Sequence, residues 1–454
     1  MPGKKVILLE MIDKIRVASL THEMGIGGTA RQIISIDKHL NKDIFEHFII
    51  SLSSQNDARS KFADNNKVFF ISDPKEIAEM LVKNNINILY VHRHGKNDTI
   101  HDQIAKAVSD NVGILEMNIF SALDEGYFGK RCDKHIFISK TNVLKYCEQN
   151  NVSFDFKKHK VVYGLVDSNN FFSKLPTDLE IAEYKNELGI SGYPVIGRIS
   201  RPVMEKWDDE MLVMWKKLSK INPKIKFLIN GVPQSRKKLL ESIGIPENLI
   251  MLAMTDSDKK LGLFYSAIDI LVHDSQIGEC NCGTIAEAML FKKPVVVRST
   301  PFPRHILGRS HTRDNGQIEQ IKNGENGYVV TNGTAMAYAV DSLFKNPELI
   351  KQMGQNNLNE ISKKYEVSVG IKVLEKVFME TVLEKGVTLP EQALNYYNSL
   401  KFYPSEKDIR NWFSEYYFRL DDVYGKEYYN SALDKAILFY LKLKRKVKTL
   451  LFNY

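Results

Sequence analysis

Short apolar runs alternate with stretches of helical period along most of this chain. Val17-Ala18-Ser19-Leu20 reads as a buried strand, Met24 to Arg31 is a glycine-rich turn, and Ile33, Ile34, Ile36 and Leu40 recur at helix spacing. The strand signal returns at Phe48–Leu52, Val68–Ile71, Ile86–His92 and Ile114–Asn118, with a helix predicted from Pro74 to Lys83. Lys134–Ser139 and Val161–Asp167 complete the first half, and a polar linker runs from Ser168 to about Thr177. A second series then begins with Pro194–Ile199, Lys226–Val232, Asn248–Met254, a helix-to-strand passage over Phe264–His273, Pro294–Val297 and Asn326–Val330. Strand and helix alternating in both halves predict two doubly wound, mostly parallel sheets.

A chain of 454 residues is too long for one core and suits two domains with additional material. Hydrophobic residues make up 43% and charged residues 26%, the balance of a globular chain, and no apolar run approaches the roughly 18–20 residues needed to span a bilayer. The basic start Met1–Lys5 and the apolar Val6–Leu9 are followed at once by Glu10, Asp13 and Lys14, which breaks a signal-peptide pattern. Four cysteines in so long a chain fit a reducing compartment, so a cytoplasmic location is expected. Cys280 and Cys282 are too close for a relaxed disulfide and lack a second Cys/His pair for zinc, so packing or loop roles are expected of them. The net charge of +8 suits a phosphate-bearing ligand or an anionic surface, and nucleic acid is not expected.

Candidate chemistry concentrates in the stretch Gly278-Glu279-Cys280-Asn281-Cys282-Gly283-Thr284-Ile285-Ala286-Glu287. Glu279 stands in a polar loop just before a predicted helix, and Glu287 stands on that helix. A helix start offers unpaired N–H groups to phosphate, while carboxylates accept hydrogen bonds from sugar hydroxyls. Upstream, Gly197-Arg198-Ile199-Ser200-Arg201-Pro202 and Lys206 deliver two arginines and a lysine at the end of a strand. Arginine forks grip phosphate oxygens bidentately and lysine adds a point charge, which is chemistry for a diphosphate. The turn Gly25-Ile26-Gly27-Gly28, between strand and helix, is a second phosphate-cradle geometry. Tyr90-Val91-His92-Arg93-His94 ends another strand, where ligands of open parallel sheets bind, so His94 and Arg93 are candidates for contacts with a second substrate.

The order Gly278-Glu279, Gly283-Thr284, Glu287-Ala288-Met289 and Pro294-Val295-Val296 resembles the donor-site signature of the retaining glycosyltransferases of family 4, a Glu, seven residues, then a Glu. One departure is visible, since Asn281, Cys282 and Gly283 stand where that family has an aromatic and a glycine. The resemblance covers roughly residues 16–375. It implies a GT-B fold, with Rossmann-like domains over 1–170 and 171–375 facing across a cleft, and leaves 376–454 as a helical C-terminal extension. It also implies a closing helix over Val367–Leu383 that packs back on the first domain.

The implied activity is transfer of a hexose from a nucleotide-diphosphate sugar, UDP- or GDP-linked, to a hydroxyl of a glycan, glycolipid or other acceptor, without cofactor or metal. Lys206 with Arg198 or Arg201 would offset charge on the departing diphosphate, Glu279 would orient the sugar, and Glu287 would hold the ribose. Gly27, Gly28, Arg31, Gly283 and Thr284 carry over as donor-facing. Relatives often place a histidine near Ile114–Asn118; none stands there, so Glu116 or Asn118 takes that polar place beside His94 on the acceptor side. Two rival readings keep the same donor contacts: a sugar-nucleotide epimerase, and a non-catalytic module binding nucleotide sugar or glycolipid. Outside the resemblance, Phe439, Leu443, Val447, Leu450 and Leu451 form one helical stripe among basic residues, a pattern that suits an anionic membrane surface on the cytoplasmic side.

Overall fold

The computed structural model describes residues 12–25, 27–54, 57, 60–63, 67–173, 175–242, 245–254, 257–276, 279–299, 316–424 and 443. Residues 304–315, a polar insertion with arginines at 304, 309 and 313, and the apolar stripe 439–451, residue 443 apart, lie outside them, as do Ile26 of the glycine turn and Gly278. The chain divides into two compact units, Met1–Ser168 with Ser362–Ile409, and Asn169–Ile361 with Arg410–Tyr454.

The first unit holds a seven-stranded sheet: β1 (Ile15–Thr21), β2 (Phe45–Ser51), β3 (Val68–Phe70), β4 (Ile88–Arg93), β5 (Gly113–Asn118), β6 (Lys134–Phe137) and β7 (His159–Val161). All pairings are parallel, in the order β3-β2-β1-β4-β5-β6-β7. Strands covered on both faces by helices must be apolar on both, hence the continuous Val/Ile/Leu runs. β2 begins at Phe45, ahead of the apolar run expected from Phe48, because Glu46 and His47 are neutralised in place. Arg16 Nε donates to Glu46 at 2.9 Å, and His47 lies 2.9 Å from Ser19 Oγ and 3.0 Å from Asp37. After β7 the chain leaves the sheet, and Val166 bridges instead to Glu366. The helix Val367–Glu384 does pack on this unit, with Phe378 against Tyr90 at 5.5 Å and Phe45 at 6.3 Å. Its Glu380 and Glu384 also neutralise the buried Lys134. The first helix of the extension, Glu391–Ser399, joins it through Tyr396, whose hydroxyl donates to Glu375 at 2.5 Å.

The second unit holds a six-stranded parallel sheet: β8 (Val195–Ile199), β9 (Lys226–Asn230), β10 (Leu249–Leu252), β11 (Ile270–His273), β12 (Val295–Arg298) and β13 (Gly327–Val330). Its order is β10-β9-β8-β11-β12-β13. Its core packs Ile196, Phe227, Ile229, Ile270, Val272 and Val296 against Trp207, Met211 and Met214. Within this unit Arg419 of the helix Glu406–Tyr424 donates to the carbonyl of Ile318 at 2.9 Å.

In both sheets the strand order reverses beside the first strand, between β1 and β4 and between β8 and β11. Ligands of open α/β sheets bind at such a reversal, beyond the carboxyl ends of the strands. Among the described residues no helix is long and apolar enough to cross a membrane.

Candidate active site

β8 and β11 are neighbours, with Ile270 beside Ile196 and Leu271 beside Gly197, so the loops that follow them open at the same edge. The first loop carries Arg201 and Lys206; the second carries Glu279. There the Lys206 ammonium meets both carboxylate oxygens of Glu279, at 2.7 and 2.8 Å. Side-chain exposures of 17% and 11% leave this pair reachable from solvent yet largely shielded, so its electrostatics are stronger than those of a surface pair. His273, the last residue of β11, lies 3.5 Å from Glu279 Oε1. Burial opposes charge on Glu279, and Lys206 and His273 overcome it, holding the carboxyl down to about 2. Lys206 is in turn pushed above its ordinary value, since Glu279 outweighs the cost of its burial.

Buried groups fix Lys206 from behind. Arg198 is fully buried and donates to the carbonyl of Lys206, to Ser200 Oγ at 3.0 Å and to Asp274 at 3.4 Å. Its guanidinium also lies 4.6 Å from the ring centre of buried Trp207. Arg201, by contrast, is exposed on the same loop. Burial pushes the Asp274 carboxyl up to about 6, although Arg198 and Arg298 pull it down. Gly231 lets the loop after β9 approach: its φ is +85°, and a Cβ there would stand 1.7 Å from the Ser200 carbonyl oxygen.

The helix Gly283–Leu290 starts beside Glu279, and no side chain among the described residues caps its N-terminus. Its first N–H groups are therefore available to an anion, with Thr284 in the first turn. Gln320 clamps the residue before it, accepting from Cys282 N at 2.8 Å and donating to Cys282 O at 3.0 Å. Gly316 donates to the carbonyl of Glu279 at 2.7 Å, where a Cβ would stand 2.0 Å from the Cys280 carbonyl oxygen. Glu287, one turn further on and half-buried, accepts a hydrogen bond of 2.8 Å from the hydroxyl of Tyr265. Tyr265 is itself stacked on Phe291 at 5.3 Å.

The first unit places its candidates differently. Gly27 precedes and Gly28 begins the helix Gly28–His39, and a Cβ at either would meet no described atom within 4 Å. Arg31 donates its backbone N–H to Gly27 O at 3.2 Å. His94 is exposed on the turn after β4. Glu116 is buried between Arg93, whose Nε donates at 2.6 Å, and His135 at 2.7 Å. Asn118 is buried as well, donating to the Ala122 carbonyl at 2.7 Å. Arg93 lies under the surface, bridging Glu116 and Asp124.

Thus the fold gathers Lys206, Glu279, Thr284 and Glu287 on one sheet edge, and encloses Arg198, Glu116 and Asn118. Sequence reasoning passed over His273, Tyr265 and Gln320. A histidine ending a strand at a sheet reversal was the legible signal for the first; the other two lie 22 and 38 residues from the groups they hold, with no local signature.

The clustered cations and carboxylates all lie within one segment. Residues 180–316 match the family of glycosyl transferases group 1. This group 1 segment spans the loop of Lys206, Glu279 and the helix of Glu287. No curated protein sequence matches the chain. Among solved structures, a glycosyltransferase from Rickettsia africae is similar at TM-score 0.65 and 20% identity, over 82% of this chain and 99% of that one. Anabaena HepE, solved in complex with UDP and glucose, is similar at TM-score 0.62 and 15% identity, over 80% and 99% of the two chains. Sucrose-phosphate synthase from Thermosynechococcus elongatus is similar at TM-score 0.59 and 13% identity, over 82% and 100%. The fold around the group 1 segment is GT-B, two parallel-sheet α/β domains with a helical C-terminal region.

Proposed function

We propose that this protein is a retaining glycosyltransferase of the family 4 kind, moving a hexose from a nucleotide-diphosphate sugar to a hydroxyl of a glycan or lipid acceptor in the cytoplasm. The observation that carries the reading is the bidentate Lys206–Glu279 ion pair beside an uncapped helix start, at the sheet reversal of the group 1 segment. A donor entering there meets charge already arranged for it. Its diphosphate takes Lys206, exposed Arg201 and the N–H groups of the first helical turn, Gly283 and Thr284 among them. The sugar hydroxyls take Glu279, and the ribose takes Glu287 as oriented by Tyr265. Arg198 acts through the backbone of Lys206 and is a positioning residue.

As the glycosidic bond breaks, negative charge grows on the leaving diphosphate. Cations fixed in a shielded site stabilise that charge without reorganising, which supplies the work a metal does elsewhere. The acceptor hydroxyl attacks from the face that the diphosphate leaves, so the anomeric configuration is kept.

A thermal-shift panel of UDP- and GDP-sugars tests the donor, with UDP-glucose first because HepE is solved with UDP and glucose. The cognate donor at about 100 times its Kd stabilises by roughly 2.7 kcal/mol. Product analysis with acceptor present should give the donor's own anomer; an inverted product, or an epimerised donor without acceptor, overturns the reading. Tyr265→Phe removes the hydroxyl that orients Glu287, worth about 1 kcal/mol, so KM for the donor should rise roughly fivefold with kcat little changed. Initial rates against donor concentration check this.

A further inference from the structure

We propose that His273, Glu279 and Cys282 form a binding site for a thiophilic divalent cation such as zinc, whose occupancy shuts the donor site by taking Glu279 from Lys206. The binding half stands on geometry alone; the inhibitory half rests on the donor reading above. His273 Nε2 lies 3.5 Å from Cys282 Sγ and 3.5 Å from Glu279 Oε1, and all three ligand atoms lie within 4.8 Å of one another. Bond lengths of about 2.0 Å to N or O and 2.3 Å to S give tetrahedral edges of roughly 3.5 Å for N···S and 3.3 Å for N···O. Two edges of the observed triangle therefore already match a zinc site, and a modest turn of Glu279 closes the third.

The ligands sit on rigid supports. His273 ends β11, Cys282 stands just before a helix with its backbone clamped twice by Gln320, and Gly316 holds the Glu279 carbonyl. Imidazole, carboxylate and thiolate together suit zinc or cobalt better than magnesium or calcium. Binding releases two protons to solvent, that of the Cys282 thiol and the one His273 Nε2 holds between Cys282 and Glu279, and leaves a fourth position for water. A dication bound to Glu279 repels the Lys206 ammonium, now 2.7 Å from the same oxygen, so cation and donor-ready pair exclude each other. A second trio, Glu116, Cys132 and His135, is also close, but there Glu116 is committed to buried Arg93.

The test is a titration of the chelator-treated full-length protein with Co²⁺, without nucleotide sugar. A single equivalent should produce a thiolate-to-cobalt charge-transfer band with intense tetrahedral visible bands, and zinc should erase both. The spectrum should vanish in Cys282→Ser and in Cys282→Ala, with folding of each verified by circular dichroism, and should persist in Cys132→Ser. Lys206→Met should tighten zinc binding at least about tenfold by removing the competing charge. A spectrum that survives in the Cys282 variants, depends on Cys132, or has the pale bands of an octahedral ion overturns the site. Zinc should also abolish the donor-induced thermal shift in the wild type; a shift that survives saturating zinc overturns the inhibitory half. If no nucleotide sugar binds at all, the functional reading fails while the cobalt spectrum still judges the site.

Discussion

Lys206→Ala should lower kcat for the proposed hexose transfer by about 100- to 1,000-fold, the loss typical of removing one preorganised group that meets charge developing in a transition state. The ammonium sits 2.7–2.8 Å from Glu279 in a shielded site, so solvent cannot replace it at equal strength. Arg198, Trp207 and Asp274 remain to hold the loop, and the fold should persist. Steady-state kinetics on the purified variant, with circular dichroism alongside, provide the check. Activity within threefold of wild type would remove Lys206 from the mechanism. In the proposed mechanism the charge acts chiefly as the bond breaks, so kcat should fall more than donor affinity.

Glu116→Ala should destabilise the protein by about 3–5 kcal/mol, because it strips two buried cationic partners of their carboxylate. For a domain of this size that is a fall in Tm of roughly 6–20 °C, read by calorimetry. Arg93 keeps Asp124, whereas His135 loses its carboxylate and keeps only the Cys132 thiol of the two groups that hold its charge. The pH profile should change as well. Burial opposes charge on His135, and Cys132 and Glu116 together overcome it and push the imidazole up to about 10. A group raised in the folded state contributes its full stability below its unfolded value near 6.5 and loses it as pH climbs toward 10. Glu116 itself is held below its ordinary value despite burial, by His135 and then Arg93. Its contribution is full above the unfolded carboxylate value and fades as pH falls through the depressed one. Both slopes should flatten in Glu116→Ala. If instead Tm is unchanged and only transfer falls, Glu116 contacts the acceptor and the buried network is not what it serves.

These two residues illustrate what a linear reading can and cannot recover. Lys206 and Glu279 were each legible, one as a cation after a strand and the other as a carboxylate before a helix. Their pairing was not, because 73 residues separate them and only the reversal of strand order brings their loops together. Arg198 and Arg201 were indistinguishable by type and spacing. The structure separates them by burial: Arg198 stands within β8, whose residues are all buried, and meets Asp274, while Arg201 lies exposed beyond the strand end. Polar residues also misled in the other direction. Glu46 and His47 hid the start of β2, and the burial of Glu116 was not legible at its strand end, since the partners that bury each charge lie on other elements.

The chain alone determined the alternation of strand and helix, the parallel character of both sheets and the placing of its Gly-Arg and Gly-Glu stretches at strand and helix ends, because local periodicity and turn chemistry are written in neighbouring residues. Only the tertiary structure decided which charges meet, which arginine is enclosed and where His273, Gln320 and Tyr265 stand. Those outcomes follow from strand order and packing between residues tens of positions apart, where desolvation and the choice of partner, rather than residue type, fix what each charged side chain does.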